Sequence, residues 1–181
     1  NVNNYVLPVG DANRVKICEM ANLSRNPLTG VKYINVSFAR PQGFTDGLKA
    51  TENGLNYKAI NRSGIWNIVP DAKPVSGNFD LKLSVSDFAG LADNRFALLN
   101  RTGTSINISD WMVPAGSILP ADGSVGRTVT GGFARRNHIS VFNQFAIADM
   151  AVVSPDMVYM HKVYPDPVIN NEFFIEVKNY L

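Results

Sequence analysis

The sequence predicts an all-β fold, an antiparallel β-sandwich of jelly-roll or Ig-like type, and three observations predict it. Short runs alternate apolar and polar residues and recur at spacings of about ten residues. Between them stand turn-formers: Asp11, Asn26-Pro27, Pro41 to Gly43, Pro74 to Asn78 and Thr102-Gly103. No stretch keeps apolar residues at helical spacing for the uninterrupted dozen or so positions that an amphipathic helix needs. Many short strands joined by turns, without crossover helices, pack as antiparallel sheets face to face.

The elements follow in order. VLPV (6–9) and RVKICEM (14–20) read as the first strands. YINVSF from Tyr33 alternates through Ile34, Val36 and Phe38. GIWNIV from Gly64 carries Trp66 where alternation makes it a core anchor, since large aromatics dominate such cores. FDLKLSVS is the clearest strand, with Phe79, Leu81, Leu83 and Val85 on one face and Asp80, Lys82, Ser84 and Ser86 on the other. RFALLN (95–100) and SINIS (105–109) follow. HISVFNQFAIAD from His138 alternates through Ile139, Val141, Phe145 and Ile147 and sets Phe142 and Ala146 opposite, the doubly apolar character of a central strand. Val85 to Arg95 and QFAIADM each fit one helical turn or a loop. The longest segment without strand character runs from Pro114 to Asn137 and carries Arg127, Arg135 and Arg136; loops of this length are often functional.

Composition narrows the function classes. With 45% hydrophobic and 18% charged residues the chain is globular but poor in charge. A net charge of +2 without a basic block gives nucleic acid no concentrated face to bind. No run approaches the roughly 20 apolar residues of a membrane-spanning helix. A chain that opens on Asn1 is expected to be a processed or excised piece of a longer protein. Cys18 stands alone, forms no internal disulfide, and is expected to be a small buried hydrophobe.

A search for reactive groups finds little, and the chain is expected not to be an enzyme. Nucleophilic catalysis wants a positioned imidazole, yet there are only His138 and His161, both read as surface or structural, and no Gly-x-Ser-x-Gly elbow. Zinc-ligand spacings are absent, and no cofactor is expected. Asp87, Asp93, Asp110 and Asp149 at strand ends allow a structural calcium ion but make no calcium-loop motif, so they read as turn caps. Trp111 fits either the core or a sugar-stacking platform, and Arg127, Arg135 and Arg136, with His138 beside them, either solvate the long loop or hold an anionic glycan or phosphate. Trp111 and the three arginines are the candidate ligand-binding residues. Asn-x-Ser/Thr sequons start at Asn22, Asn35, Asn61, Asn100 and Asn107.

The end of the chain has its own pattern. In VYPDPVINNEFFIEVKNY, from Val163, each proline fixes its own φ and biases Tyr164 and Asp166 toward extended geometry. Asn170 and Asn171 then give a turn, and Phe173, Ile175 and Val177 share one face of an alternating strand. This stretch resembles the opening of the C-terminal sorting domain of type IX secretion cargo in Bacteroidota: an apolar-Tyr-Pro-Asn-Pro segment, a turn and an alternating first strand. The matching positions are Val163, Tyr164, Pro165, Asp166 in place of Asn, Pro167, Phe173, Ile175 and Val177. The order of strands upstream, closing on VFNQFAIAD, is similar to the β-sandwich that commonly precedes such domains.

The resemblance implies a division into a β-sandwich (1–153), a linker (154–162) and the start of the sorting domain (163–181), whose strand at 173–178 is the first of a second small β-sandwich and lacks a partner in this chain. It implies a non-catalytic, adhesin-like module of a large secreted or surface protein, its sorting domain recognised by the outer-membrane translocon and its shuttle barrel. Glycans or other cell-surface molecules are the further expected ligands. The alternative is a carbohydrate-binding accessory domain of a secreted hydrolase.

Overall fold

A computed structural model describes residues 4–11, 14–21, 27–43, 45–52, 54–93, 95–114, 127–128, 132–150, 159–169 and 172–178. They form two antiparallel sheets and a separate hairpin, with no α-helix among the described residues. Strand β1 (Asn4–Asp11) pairs with β2 (Arg14–Ala21) in unbroken register from Asn4↔Ala21 to Asp11↔Arg14. β2 pairs with β6 (Phe79–Ser84), β6 with β9 (Phe133–Ile139), and β9 with the short β8 (Arg127–Thr128). The second sheet runs β3 (Ile34–Ala39), β5 (Leu55–Pro70), β10 (Asn143–Asp149) and β7 (Phe96–Arg101), and β4 (Asp46–Glu52) also pairs with β5. The expected antiparallel β-sandwich is the fold that forms.

β5 organises the second sheet. Its C-terminal half holds β3, from Ala39↔Ile65 to Ile34↔Pro70, and its N-terminal half holds β4, so two short strands share one edge of a long one. Between the halves its register with β10 slips, from Ala146↔Ile65 to Ala148↔Ile60. Asn61 fixes that irregularity, accepting from the Ser63 N–H at 3.0 Å and donating to the Ala89 carbonyl at 2.9 Å. Gly64 follows, and the Phe38 ring lies where a Cβ would sit, 2.1 Å from its position, so only glycine lets the cross-strand ring lie down.

The main core lies between the sheets. Cys18, Met20, Leu81, Leu83 and Val85 come from the first, and Trp66, Ile68, Phe96, Leu98, Phe145 and Ile147 from the second. Each such side chain contributes about 1.5–3 kcal/mol by leaving water. Trp66, wholly buried, meets Phe38 edge-on at 4.9 Å and stacks on Phe88 at 5.5 Å. Burial pushes the Cys18 thiol up to about 12, leaving it a packing group rather than a nucleophile. The opposite face of the second sheet has its own apolar cluster of Ile65, Ala97, Leu99, Ala146 and Ala148, joined by Leu48, Tyr57 and Trp111. β10 is thus apolar on both faces, as a central strand should be.

Four expectations meet a different outcome. Residues 105–109 do not make a strand: Ser105 Oγ accepts from the Asn107 N–H and donates to Asp110 Oδ2 at 2.5 Å, and Ile108–Asp110 close into a 3₁₀ turn. Local side-chain bonds of this kind outcompete a ladder. The run from His138 to Asp149 is two strands, broken after Ile139 and restarted at Asn143, with His138 and Asn143 at φ values of 56° and 86°. The long loop ends early, because Phe133–Ile139 is strand β9; residues 115–126 and 129–131 lie outside the described residues. And the terminal strand β12 (Glu172–Lys178) does have a partner in this chain, β11 (Tyr159–Ile169), which begins inside the stretch expected as linker.

Candidate functional site

The two sheets open along the β1 and β3 edges, and there the surface is concave. A cleft of about 340 Å³ is lined by Leu7, Met20 and Phe79 beneath and by Leu28, Val31 and Ile34 at the side. Tyr5 and Tyr33 stand on its lips, 55% and 68% exposed, large aromatics that the fold leaves in water. Alternation explains the arrangement: Tyr5, Leu7 and Val9 lie on the inward face of β1, but Tyr5 sits at the strand end where the opposing sheet no longer covers it. A second, more open cleft of about 400 Å³ continues along the same opening between Pro8, Val9, Val15, Val36 and Phe38.

The wall that carries Tyr33 is tied down. Asp71 Oδ1 accepts from the backbone N–H groups of Lys32 at 3.0 Å and Tyr33 at 3.3 Å, while the Asp71 N–H donates to the Tyr33 carbonyl at 3.1 Å. Those donors hold the Asp71 carboxyl below the usual carboxylate range. Upstream, Thr29 and Ser76 join by a backbone bond of 3.0 Å and a hydroxyl pair at 2.8 Å. Gly77, at φ 102°, lets the chain pass so close to the Pro27 carbonyl that a Cβ would lie 2.3 Å from its oxygen. The cleft is therefore pre-formed and its lip fixed, the arrangement that lowers the ordering cost of binding.

Chemically its described lining is mostly apolar and aromatic. Among the described residues, Lys32 is the one charged residue of its lining, and no His, Cys, Asp or Glu faces it. No group of three or more His, Cys, Asp or Glu able to hold a metal ion occurs among the described residues. Among the described residues, no helix is long and apolar enough to cross a membrane.

The candidate ligand-binding residues are not brought together. Trp111 is 5% exposed and belongs to the second apolar cluster, with the Arg101 guanidinium 4.5 Å above its ring. It is a core residue rather than a sugar platform. Arg101 is itself buried, donating to Gln144 Oε1 at 2.7 Å and to the Asn107 carbonyl at 3.2 Å, and desolvation lowers its pKa against the opposing pull of Asp110. Arg136 is likewise interior, paired with Glu52 through both carboxylate oxygens at 2.7 and 3.1 Å, so it does not solvate a loop or await an anion. Arg135, the next residue on β9, is partly exposed and donates to Asn137 at 3.0 Å. Arg127 falls in β8, and its side chain lies outside the described residues.

The residues of the Tyr-Pro-Asp-Pro segment and the alternating strand after it lie on the hairpin. Tyr164, Pro165, Asp166 and Pro167 are in β11, and Phe173, Ile175 and Val177 in β12. Val163↔Ile175 and Tyr164↔Phe174 are paired, then the register jumps to Ile169↔Glu172 across Pro165 to Val168. Two prolines that cannot donate to a ladder account for the gap. No protein-family model, curated protein or solved structure matches the chain.

Sequence reasoning missed Tyr5, Tyr33 and Lys16. For Lys16 a signal was there: it shares the parity of Cys18 and Met20, a cation on the apolar face of RVKICEM.

Proposed function

We propose that the chain is a non-catalytic β-sandwich module of a larger secreted or cell-surface protein, adhesin-like, and that its terminal hairpin carries the start of a type IX sorting domain. The observation that carries the reading is the conjunction of a β-sandwich with a separate antiparallel hairpin that contains Tyr164-Pro165-Asp166-Pro167 in one strand and the alternating Phe173 to Val177 in the other. On this reading the hairpin is an address recognised by the outer-membrane translocon and its shuttle barrel, and the sandwich is spacer or binding module. In a bacterium that has this secretion system, the protein with Tyr164→Ala and Pro165→Ala accumulates in the periplasm while the unchanged protein reaches the surface or medium. Equal export of the two, measured by cell fractionation, removes the reading.

A specific observation favours a second reading, carbohydrate binding. Exposed tyrosine rings flanking a fixed apolar cleft are suited to stack on the apolar face of a sugar. On a glycan array, Tyr33→Ala abolishes a signal that Arg135→Ala leaves intact; no sugar bound above background by the unchanged protein ends this reading.

A further inference from the structure

We propose that Lys16 and Asp87 form an intramolecular isopeptide bond, the lysine Nζ joined to the aspartate Cγ with release of one water molecule. Lys16 is 1% exposed, and its ammonium contacts the Asp87 carboxylate. The partners are 71 residues apart in sequence, and adjacent strands bring them together. β2 and β6 pair through Cys18↔Leu83, the Ile17 N–H donates to Ser84 Oγ at 2.8 Å, and the Phe88 N–H bonds the Val85 carbonyl at 2.9 Å, closing the turn that carries Asp87 back over Lys16.

The surroundings of Lys16 Nζ disfavour its charged form. The Phe88 and Phe38 rings lie 4.8 and 5.7 Å from Nζ, and Trp66 stacks behind Phe88. Burial lowers the Lys16 pKa, with the Arg14 charge adding to the effect, so the amine gives up its proton more readily than a solvated lysine. An amide carries no charge and ends the cost of keeping one in that box.

The atoms balance within the pair. One proton passes from the ammonium to the carboxylate, giving an amine and a carboxylic acid. The Nζ lone pair attacks Cγ, the C–N bond forms, the C–OH bond breaks, and the hydroxyl leaves with a second amine proton as water. Nothing is oxidised or reduced, and no co-reactant is needed. Fixed contact between the groups supplies the high effective concentration on which such a step depends. The Asp87 side chain is 50% exposed, so the leaving water has an open path outward.

Intact mass spectrometry of the unchanged protein, denatured and reduced, tests the proposal. The expected mass is one water below the sum of the residues, and tryptic digestion yields a branched peptide joining the segments around Lys16 and Asp87. Lys16→Met restores the full mass. Asp87→Asn loses ammonia instead of water and so converges on the same mass as the unchanged protein. An unchanged protein at its full mass overturns the proposal and leaves an ordinary ion pair. A water loss that persists in Lys16→Met overturns it too, assigning the loss to a succinimide such as one at Asp46-Gly47.

Discussion

Glu52→Ala lowers the unfolding free energy by about 3–5 kcal/mol, because it leaves a buried guanidinium without its counter-charge. Arg136 reaches from β9 to a carboxylate on β4, with side-chain exposures of 1% and 3% for the pair. Its Nε and Nη2 also donate to the Leu98 carbonyl of β7, at 3.1 and 2.8 Å. Three strands from both sheets therefore converge on one planar cation whose donors are fixed in a fork. With Glu52 gone, a single neutral carbonyl faces a full charge in a dry site. The pair as a whole is worth far less than this loss implies, since both partners surrendered their hydration to meet. The double replacement Glu52→Leu with Arg136→Met accordingly recovers most of the stability. Urea unfolding of the three proteins measures the effect, and a Glu52→Ala loss below about 1 kcal/mol, the scale of an exposed pair, would contradict the buried geometry.

Trp66→Ala costs a similar amount, about 3–5 kcal/mol, by a different mechanism: it opens a cavity in the core between the two sheets. The indole has ring contacts on two sides, Phe38 edge-on and Phe88 stacked, and β5 presents it at the position paired with both Phe38 and Phe145. Its Nε1–H has no hydrogen-bond partner among the described residues, so nothing polar is lost on removal and the penalty is one of packing. That orphan donor makes a second comparison informative. Trp66→Phe leaves a smaller void and also relieves an unsatisfied buried N–H, which by itself costs about 1–3 kcal/mol. Its destabilisation is therefore well under half that of alanine. Thermal and urea unfolding report both, and equal losses for the two replacements would show that the indole's polar edge is satisfied in solution.

What could be read from the sequence was whatever depends on near neighbours. Phe79, Leu81, Leu83 and Val85 alternate, and all four are buried. Alternation puts Trp66 in the core on the same ground, and there it is wholly buried. β4 escaped because its inward side offers only Leu48 and Ala50 before Glu52, a carboxylate that no local rule would place inside. The buried pairing of Arg136 is hidden for the matching reason: its partner is 84 residues away, and charge in a Gly-rich stretch reads as solvated until that partner is known. Trp111 is buried by Leu48, Tyr57 and Arg101, none of them close in the pattern that surrounds it. The cleft is a property of two strand ends from different sheets, which alternation within either strand does not encode.

The long central strand also sets when this domain can fold. β5 finds its main partner in β10, nearly at the other end of the sandwich, through Phe145↔Trp66 and its neighbours. During synthesis its apolar faces emerge long before the residues that cover them, and closing that large loop is the entropic step that slows β-rich topologies. Until Asp149 has left the ribosome the second sheet lacks the strand that joins β5 to β7, and the strand that carries Trp66 waits for its longest-range partner.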